Sequence, residues 1–305
     1  MTPGHHPLDP ALRAALSTVI GGDRNPAAAI DSATEIGGGS ISRALLVESA
    51  GQRCFVKLNN ASLAGMFAAE ANGLGALAAC SALRVPRVFG HGICGRQAYL
   101  VLEYLPLQPL RERRHGSEAG RSLAALHRIR GPQFGWQRDN FIGSSPQYNT
   151  QQRTWALFFA RQRLLPQLAM ARGHGHHGKL IASGERLAEK LPALFVDHQP
   201  QPSLLHGDLW SGNAAVDESG TLTLFDPAVY FGDREADLAM TELFGGFPDS
   251  FYAAYREAWP VADGFEQRKL LYNLYHVLNH LNLFGSGYLH QAERMIARLL
   301  AEIGG

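Results

Sequence analysis

The sequence predicts an α+β chain in two lobes. A small antiparallel β lobe with a helix should span residues 1–105, and a larger, mainly α-helical lobe residues 106–305. Three observations predict this. Short strand-like runs separated by glycine-rich turns crowd the first hundred residues. Apolar residues at helical spacing dominate the remainder. Between the two, an apolar strand-like run over residues 97–105 stops at Pro106, which has no N–H to donate to a ladder.

Residues 9–20 read as an amphipathic helix, with Pro10 in its first turn and Gly21-Gly22 ending it. A strand is expected over residues 30–36, followed by a hairpin of residues 43–49 and 53–58 around Ala50-Gly51-Gln52. The turn after the first strand carries Gly37, Gly38, Gly39 and Ser40. Backbone without Cβ atoms can approach phosphate oxygens and aim its amides at them. Lys57 closes Cys54-Phe55-Val56-Lys57, the position of a strand lysine that pairs nucleotide phosphates. Leu63, Met66, Phe67, Leu74 and Leu77 predict a helix over residues 62–80. Glu70 lies on it, placed to hold the Lys57 ammonium towards phosphate.

After Pro106 the chain turns helical, over residues 117–130, 154–170, 179–195, 233–243, 249–259 and 268–284. His127, in the first of these, reads as structural. Residues 131–149 read as a polar, glycine-rich loop whose aromatic and amide side chains suit either sugar recognition or a lid. His174, His176 and His177 sit on glycine-rich backbone that does not preorganise a metal site, and read as an exposed loop. His276 and His280 are four apart on one helix face, a zinc-compatible spacing. Without a carboxylate signature beside them, they read as structural or substrate-facing.

The chemistry concentrates in residues 204–213, Leu-Leu-His-Gly-Asp-Leu-Trp-Ser-Gly-Asn, and in Asp226. Asp208 and Asn213 stand five apart, and Asp226 follows thirteen residues later. Strand-like runs at 203–205, 213–216 and 221–225 flank these positions, with Glu218-Ser219-Gly220 as a turn. This is the residue pattern of a phosphoryl-transfer site. Asp208 would orient a substrate hydroxyl and accept its proton. Asn213 and Asp226 would offer hard oxygen ligands to the Mg²⁺ ions that bridge ATP phosphates.

Composition narrows the class. A 305-residue chain can bury a sizeable core, and 46% apolar residues is ordinary for a globular protein. A net charge of +1 supplies no global field for nucleic acid or anionic membrane, so neither is an expected partner. Three cysteines without a CxxC pair fit a reducing compartment. With no signal-peptide pattern and no long apolar run, the expected location is cytoplasmic.

The catalytic stretch, together with Asp226-Pro227-Ala228 and the run Asp233-Arg234-Glu235-Ala236-Asp237, resembles the fructosamine kinase (ketosamine-3-kinase) family. Phe55-Val56-Lys57-Leu58-Asn59, Leu102-Glu103-Tyr104, Trp155 and Leu271-Tyr272-Asn273-Leu274-Tyr275-His276 extend the resemblance from about Ile36 onward. Trp210 and Leu243-Phe244-Gly245-Gly246-Phe247 are its more specific marks. That family is similar in fold to aminoglycoside phosphotransferases and, more distantly, to protein kinases. Two departures matter. Asp208 follows Gly207 where protein kinases have arginine, so an activation loop controlled through that arginine is not expected. Ser40 stands where many relatives have cysteine, so no thiol switch is expected in that loop.

The resemblance implies a protein-kinase-like fold, with ATP and Mg²⁺ as cofactors. It implies phosphorylation of the O3 hydroxyl of a ketosamine, a fructosamine or ribulosamine adduct on an amine or a protein lysine, leading to deglycation. Backbone groups of Glu103, Tyr104 and Leu105 would meet adenine at the interlobe hinge, Trp210 and His276 would meet substrate, and Asp237 would brace the catalytic loop. The chain would be a monomer or homodimer. The same fold also serves aminoglycoside, choline and sugar phosphotransferases, which remain the alternative reading. A nucleotide-binding pseudokinase is a third, although every chemical position is occupied.

Overall fold

In the computed structural model, which describes residues 8–22, 29–37 and 42–304, contacts divide the chain into two compact units. One is Met1–Ala79 with Val85–Leu107; the other is Cys80–Arg84 with Gln108–Gly305.

The first unit is built on an antiparallel sheet. Its strands are β1 (Ile30–Ile36), β2 (Arg43–Ser49), β3 (Gln52–Asn60), β4 (Val88–Cys94) and β5 (Gln97–Glu103), in spatial order β1-β2-β3-β5-β4. The interior strand β5 lacks polar alternation because helices cover both of its faces. Tyr99 and Val101 pack with Leu12, Leu16 and Ile20 of α1 (Pro10–Gly21). Ala98, Leu100 and Leu102 pack with Phe67 and Leu74 of α2 (Ala64–Leu77). Side chains alternate along a strand, so Cys54, Val56 and Leu58 of β3 join the α1 face while Phe55 turns to the α2 face. Lys57, two residues after Phe55, therefore points towards α2. Asp9 caps α1, its carboxylate accepting from the Ala11 and Leu12 amides.

Two boundaries differ from expectation. The helix expected over residues 62–80 opens as a 3₁₀ turn, Ala61–Leu63, and its α part ends at Leu77. β4 was not foreseen, because Gly90, His91 and Gly92 break the apolar alternation a strand normally shows.

In the second unit the core surrounds α9 (Phe265–Phe284), which buries Leu271, Tyr272, Leu274, Tyr275, Val277, Leu278 and Leu281. The helices around it are α3 (Arg113–His127), α4 (Trp155–Phe159), α5 (Leu165–Gly173), α6 (Lys179–Lys190), α7 (Glu235–Leu243), α8 (Asp249–Ala258) and α10 (Leu289–Gly304). The segment expected as one helix over residues 154–170 is interrupted by a π-helical turn, Ala160–Leu164. That turn buries Arg163. Its guanidinium lies 4.0 Å from the Tyr230 ring centroid and donates to Asn149 Oδ1 at 2.8 Å.

Short strands carry the polar residues of this unit. β6 (Gln108–Pro109), β10 (Ala214–Val216) and β11 (Leu222–Leu224) form one sheet in the order β11-β10-β6, and β9 (Ser203–Leu205) pairs with β12 (Tyr230–Gly232). Arg84 belongs with this unit because its amide donates to Leu222 O and its carbonyl accepts from the Leu224 amide. The loop expected over residues 131–149 contains a further hairpin of β7 (Asn140–Ile142) and β8 (Ser145–Gln147). Among the described residues, no helix is long and apolar enough to cross a membrane.

Helices α3 and α8 meet backbone to backbone at Gly120, where an added Cβ would sit 2.3 Å from Phe251 O and 3.0 Å from Tyr255 N. Alanine is ordinarily the better helix former by about 1 kcal/mol. Here the clash should reverse the sign, and Gly120→Ala should destabilise by roughly 1–3 kcal/mol, read as a lower urea midpoint at unchanged m-value. A raised midpoint would contradict the close packing of these two helices.

Candidate active site

In the first unit, Lys57 Nζ donates to Glu70 Oε1 at 2.8 Å, with both side chains mostly buried. The pair forms because Glu70 shares its α2 face with Phe67 and Leu74, which pack on the sheet. Glu103 ends β5, and its amide N–H donates to Arg87 O at 2.8 Å. Tyr104 and Leu105 follow directly after β5. Gly37 is an exposed residue after β1, whereas Gly38, Gly39 and Ser40 lie outside the described residues.

In the second unit the catalytic loop starts from β9. Gly207 has φ +82, and a Cβ there would come within 2.1 Å of Ala228 O, so only glycine fits. Asp237, in the first turn of α7, accepts from the His206 amide at 2.7 Å and the Gly207 amide at 2.9 Å. His127 Nε2 lies 3.2 Å from the same carboxylate, and its Nδ1 lies 2.8 Å from Tyr255 OH. Because the carboxylate only accepts, His127 carries its proton on Nε2 and takes the Tyr255 hydroxyl hydrogen on Nδ1. Burial pushes the Asp237 carboxyl up, but the His127 bond and the neighbouring donors outweigh this and hold it below the usual range.

His206 is the residue that sequence reasoning passed over. Its ring Nδ1 accepts the Asp208 amide at 3.2 Å, so Nε2 is protonated and donates to Phe225 O at 3.0 Å. One neutral imidazole thus ties the catalytic loop to the strand end before Asp226. Burial lowers its pKa, which keeps it in that state. The signal was present, a histidine two residues before the acid. Its meaning needed the fold to bring Phe225 alongside.

The β10–β11 hairpin pairs Ala214 with Leu224, and the Phe225 amide donates to Asn213 O at 3.2 Å. Asn213 and Asp226 therefore stand together at one end of that hairpin. Asn213 Nδ2 donates to the Asp208 carbonyl at 2.9 Å and to Asp208 Oδ2 at 3.2 Å, which leaves the amide oxygen to face a cation. Asp226 adopts φ +56, a left-handed conformation that non-glycine residues rarely hold and that concentrates at functional sites. An amide oxygen and a carboxylate suit Mg²⁺, and so does the local charge. Burial and then the Asp226 carboxylate push Asp208 up to about 7.

His276 Nδ1 lies 4.0 Å from Asp208 Oδ1. Trp210, two residues after Asp208, is 38% exposed and meets Phe244 edge-on at 6.4 Å. His198, Asp233 and Glu235 also cluster, but Tyr272 and Arg268 already satisfy the two carboxylates, which makes this a bracing network.

Burial, then the nearby His280, pushes His276 down to about 3, and burial also lowers His127 and His206. Each folded-state value lies below that of the unfolded chain. Their contribution is therefore complete above about pH 6.5 and is lost as pH falls through the folded values. Melting temperature should drop between pH 7.5 and pH 5, and His276→Gln, which does not titrate, should narrow that drop. An equal drop in the variant would contradict a neutral, buried His276.

The model of the fructosamine kinase family matches residues 13–302. A Synechocystis protein named probable ketoamine kinase is 48% identical over 268 residues, covering 87% of this chain and 89% of its own. The chloroplastic protein-ribulosamine 3-kinase of Arabidopsis thaliana is 39% identical over 264 residues, covering 86% and 80%. A crystal structure from Haemophilus somnus, assigned as a fructosamine-3-kinase, aligns with TM-score 0.85 at 31% identity over 95% of this chain and 97% of its own. The chain belongs to the fructosamine kinase family and is an ATP-using phosphotransferase with a hydroxyl acceptor.

Proposed function

We propose that this enzyme transfers the γ-phosphoryl group of ATP to the O3 hydroxyl of a ketosamine, a ribulosamine or fructosamine carried on a small amine or a protein lysine. The observation that carries the reading is Asp208. Its carboxylate is partly exposed, fixed by Asn213, flanked by Asp226 and faced by His276. A carboxylate raised to about 7 matches the basicity needed to take a hydroxyl proton near neutral pH. Asn213 and Asp226 would hold Mg²⁺, which when bound neutralises charge on the phosphate oxygens.

Asp208 orients O3 and accepts its proton as the bond from O3 to the γ-phosphorus forms and the bond from that phosphorus to the bridging oxygen of ADP breaks, releasing ADP. Lys57, steadied by Glu70, is assigned to the nucleotide phosphates. Backbone groups of Glu103, Tyr104 and Leu105 are assigned to adenine. Gly37, Gly38, Gly39 and Ser40 are assigned to the phosphate loop, and Trp210 and His276 to the acceptor. Most of the acceleration comes from positioning and fixed charge, since little covalent work falls to the protein.

The product's chemistry accounts for repair. Loss of the C1 proton gives an enaminol, whose nitrogen lone pair expels phosphate from C3. Water then hydrolyses the resulting iminium and releases the free amine.

Two measurements test this. Asp208→Asn should lower kcat by about 10³-fold or more while ATP affinity stays close to wild type; retained turnover would remove the base role. ADP release should appear with ribulosyl-lysine and not with kanamycin or choline. The opposite pattern would move the enzyme to another acceptor class.

A further inference from the structure

Helix α9 carries three residues at successive turns of one face: His276, His280 and Phe284. They run from 5% exposed at His276, beside Asp208, to 56% exposed at Phe284. Eight residues of helix advance about 12 Å, so this face leads from the catalytic carboxylate out to solvent. Other elements add rings along the way. Phe244, just past α7, lies 4.7 Å from His280, and Trp210 of the catalytic loop meets Phe244 at 6.4 Å. Phe284 and Tyr288 each lie 5.2 Å from His280. Three aromatic side chains thus surround one imidazole, and Trp210 joins this group to the loop of Asp208 through Phe244. His280 Nδ1 donates to His276 O at 2.8 Å, which fixes the ring's orientation and tautomer.

We propose that the Phe244–His280–Phe284 path is a specificity subsite for the amine-bearing part of the acceptor, favouring ketosamines whose nitrogen carries an aromatic or apolar substituent. This rests on the ketosamine reading above. In such a molecule O3 and the nitrogen are separated by four bonds, on the order of 5 Å. With O3 at Asp208, the nitrogen substituent must leave the reacting centre, and the α9 face gives it an aromatic surface to follow. A substituent stacked on Phe244 and Phe284 gains apolar burial and ring–ring contact that a methyl group cannot reach.

The test is steady-state kinetics on two ribulosamines with the same sugar, one made from methylamine and one from phenethylamine. The wild-type enzyme should show a kcat/KM about tenfold higher for the phenethylamine adduct, carried mainly by KM. Phe284→Ala and Phe244→Ala should bring that ratio close to one. Val196→Ser, which changes an exposed apolar residue elsewhere, should keep the wild-type ratio. A wild-type ratio near one, or alanine variants that lower both adducts equally, would overturn the subsite while leaving ketosamine phosphorylation standing. No turnover of either adduct would overturn both.

Discussion

A single buried carboxylate, that of Asp237, sets the geometry on which the catalytic loop depends. It receives two consecutive main-chain amides, from His206 and Gly207, and the ring N–H of His127. Charge-assisted bonds of this kind are stronger than neutral ones, and their loss would leave a buried anion uncompensated. The consequence travels by contact. Once the His206 backbone is pinned, its ring can accept from the Asp208 amide and donate to Phe225 O. One end of the network holds the Asp208 backbone, and the other holds the strand end that precedes Asp226. Gly207 is indispensable to this arrangement because Ala228 O occupies the space a side chain would need.

Around this brace, burial favours the neutral form of several histidines, while hydrogen bonds hold the Asp237 carboxylate charged. His127, His206 and His276 are buried, and burial lowers all three. Asp208 is raised towards neutrality, first by burial and then by Asp226, and Glu235 is raised by burial and then by Asp233. Groups of like charge held near a reacting centre are costly in the resting protein. They become useful when a substrate proton or a cation arrives to share them. The buried Arg163 serves packing differently: its guanidinium lies over the rings of Phe158 and Tyr230 and donates to Tyr148 O and Asn149 Oδ1.

The sequence made many of the periodic helices and the grouping of the candidate site residues legible, although α10 was not among the helices expected. Lys57 and Glu70 could be paired because one lies on a strand and the other on the helix that follows it. Asp208, Asn213 and Asp226 were visible because hard oxygen donors at set separations between strands have few other uses. What stayed hidden depended on contacts distant in sequence. His206 gained its role only through Phe225, nineteen residues on. The β4 strand was masked by two glycines, and the π-turn at Ala160–Leu164 left no mark in the periodicity. The run from Trp210 through Phe244 to α9 joins three segments that no local pattern connects.

The central claim is that this braced carboxylate presents itself to one hydroxyl of a ketosamine. Phosphorus–proton correlation NMR of the product formed from ribulosyl-lysine tests it most directly. The account predicts a single phosphate ester whose phosphorus couples to the proton on C3. Coupling to protons on C1, C4 or C5 instead would contradict it.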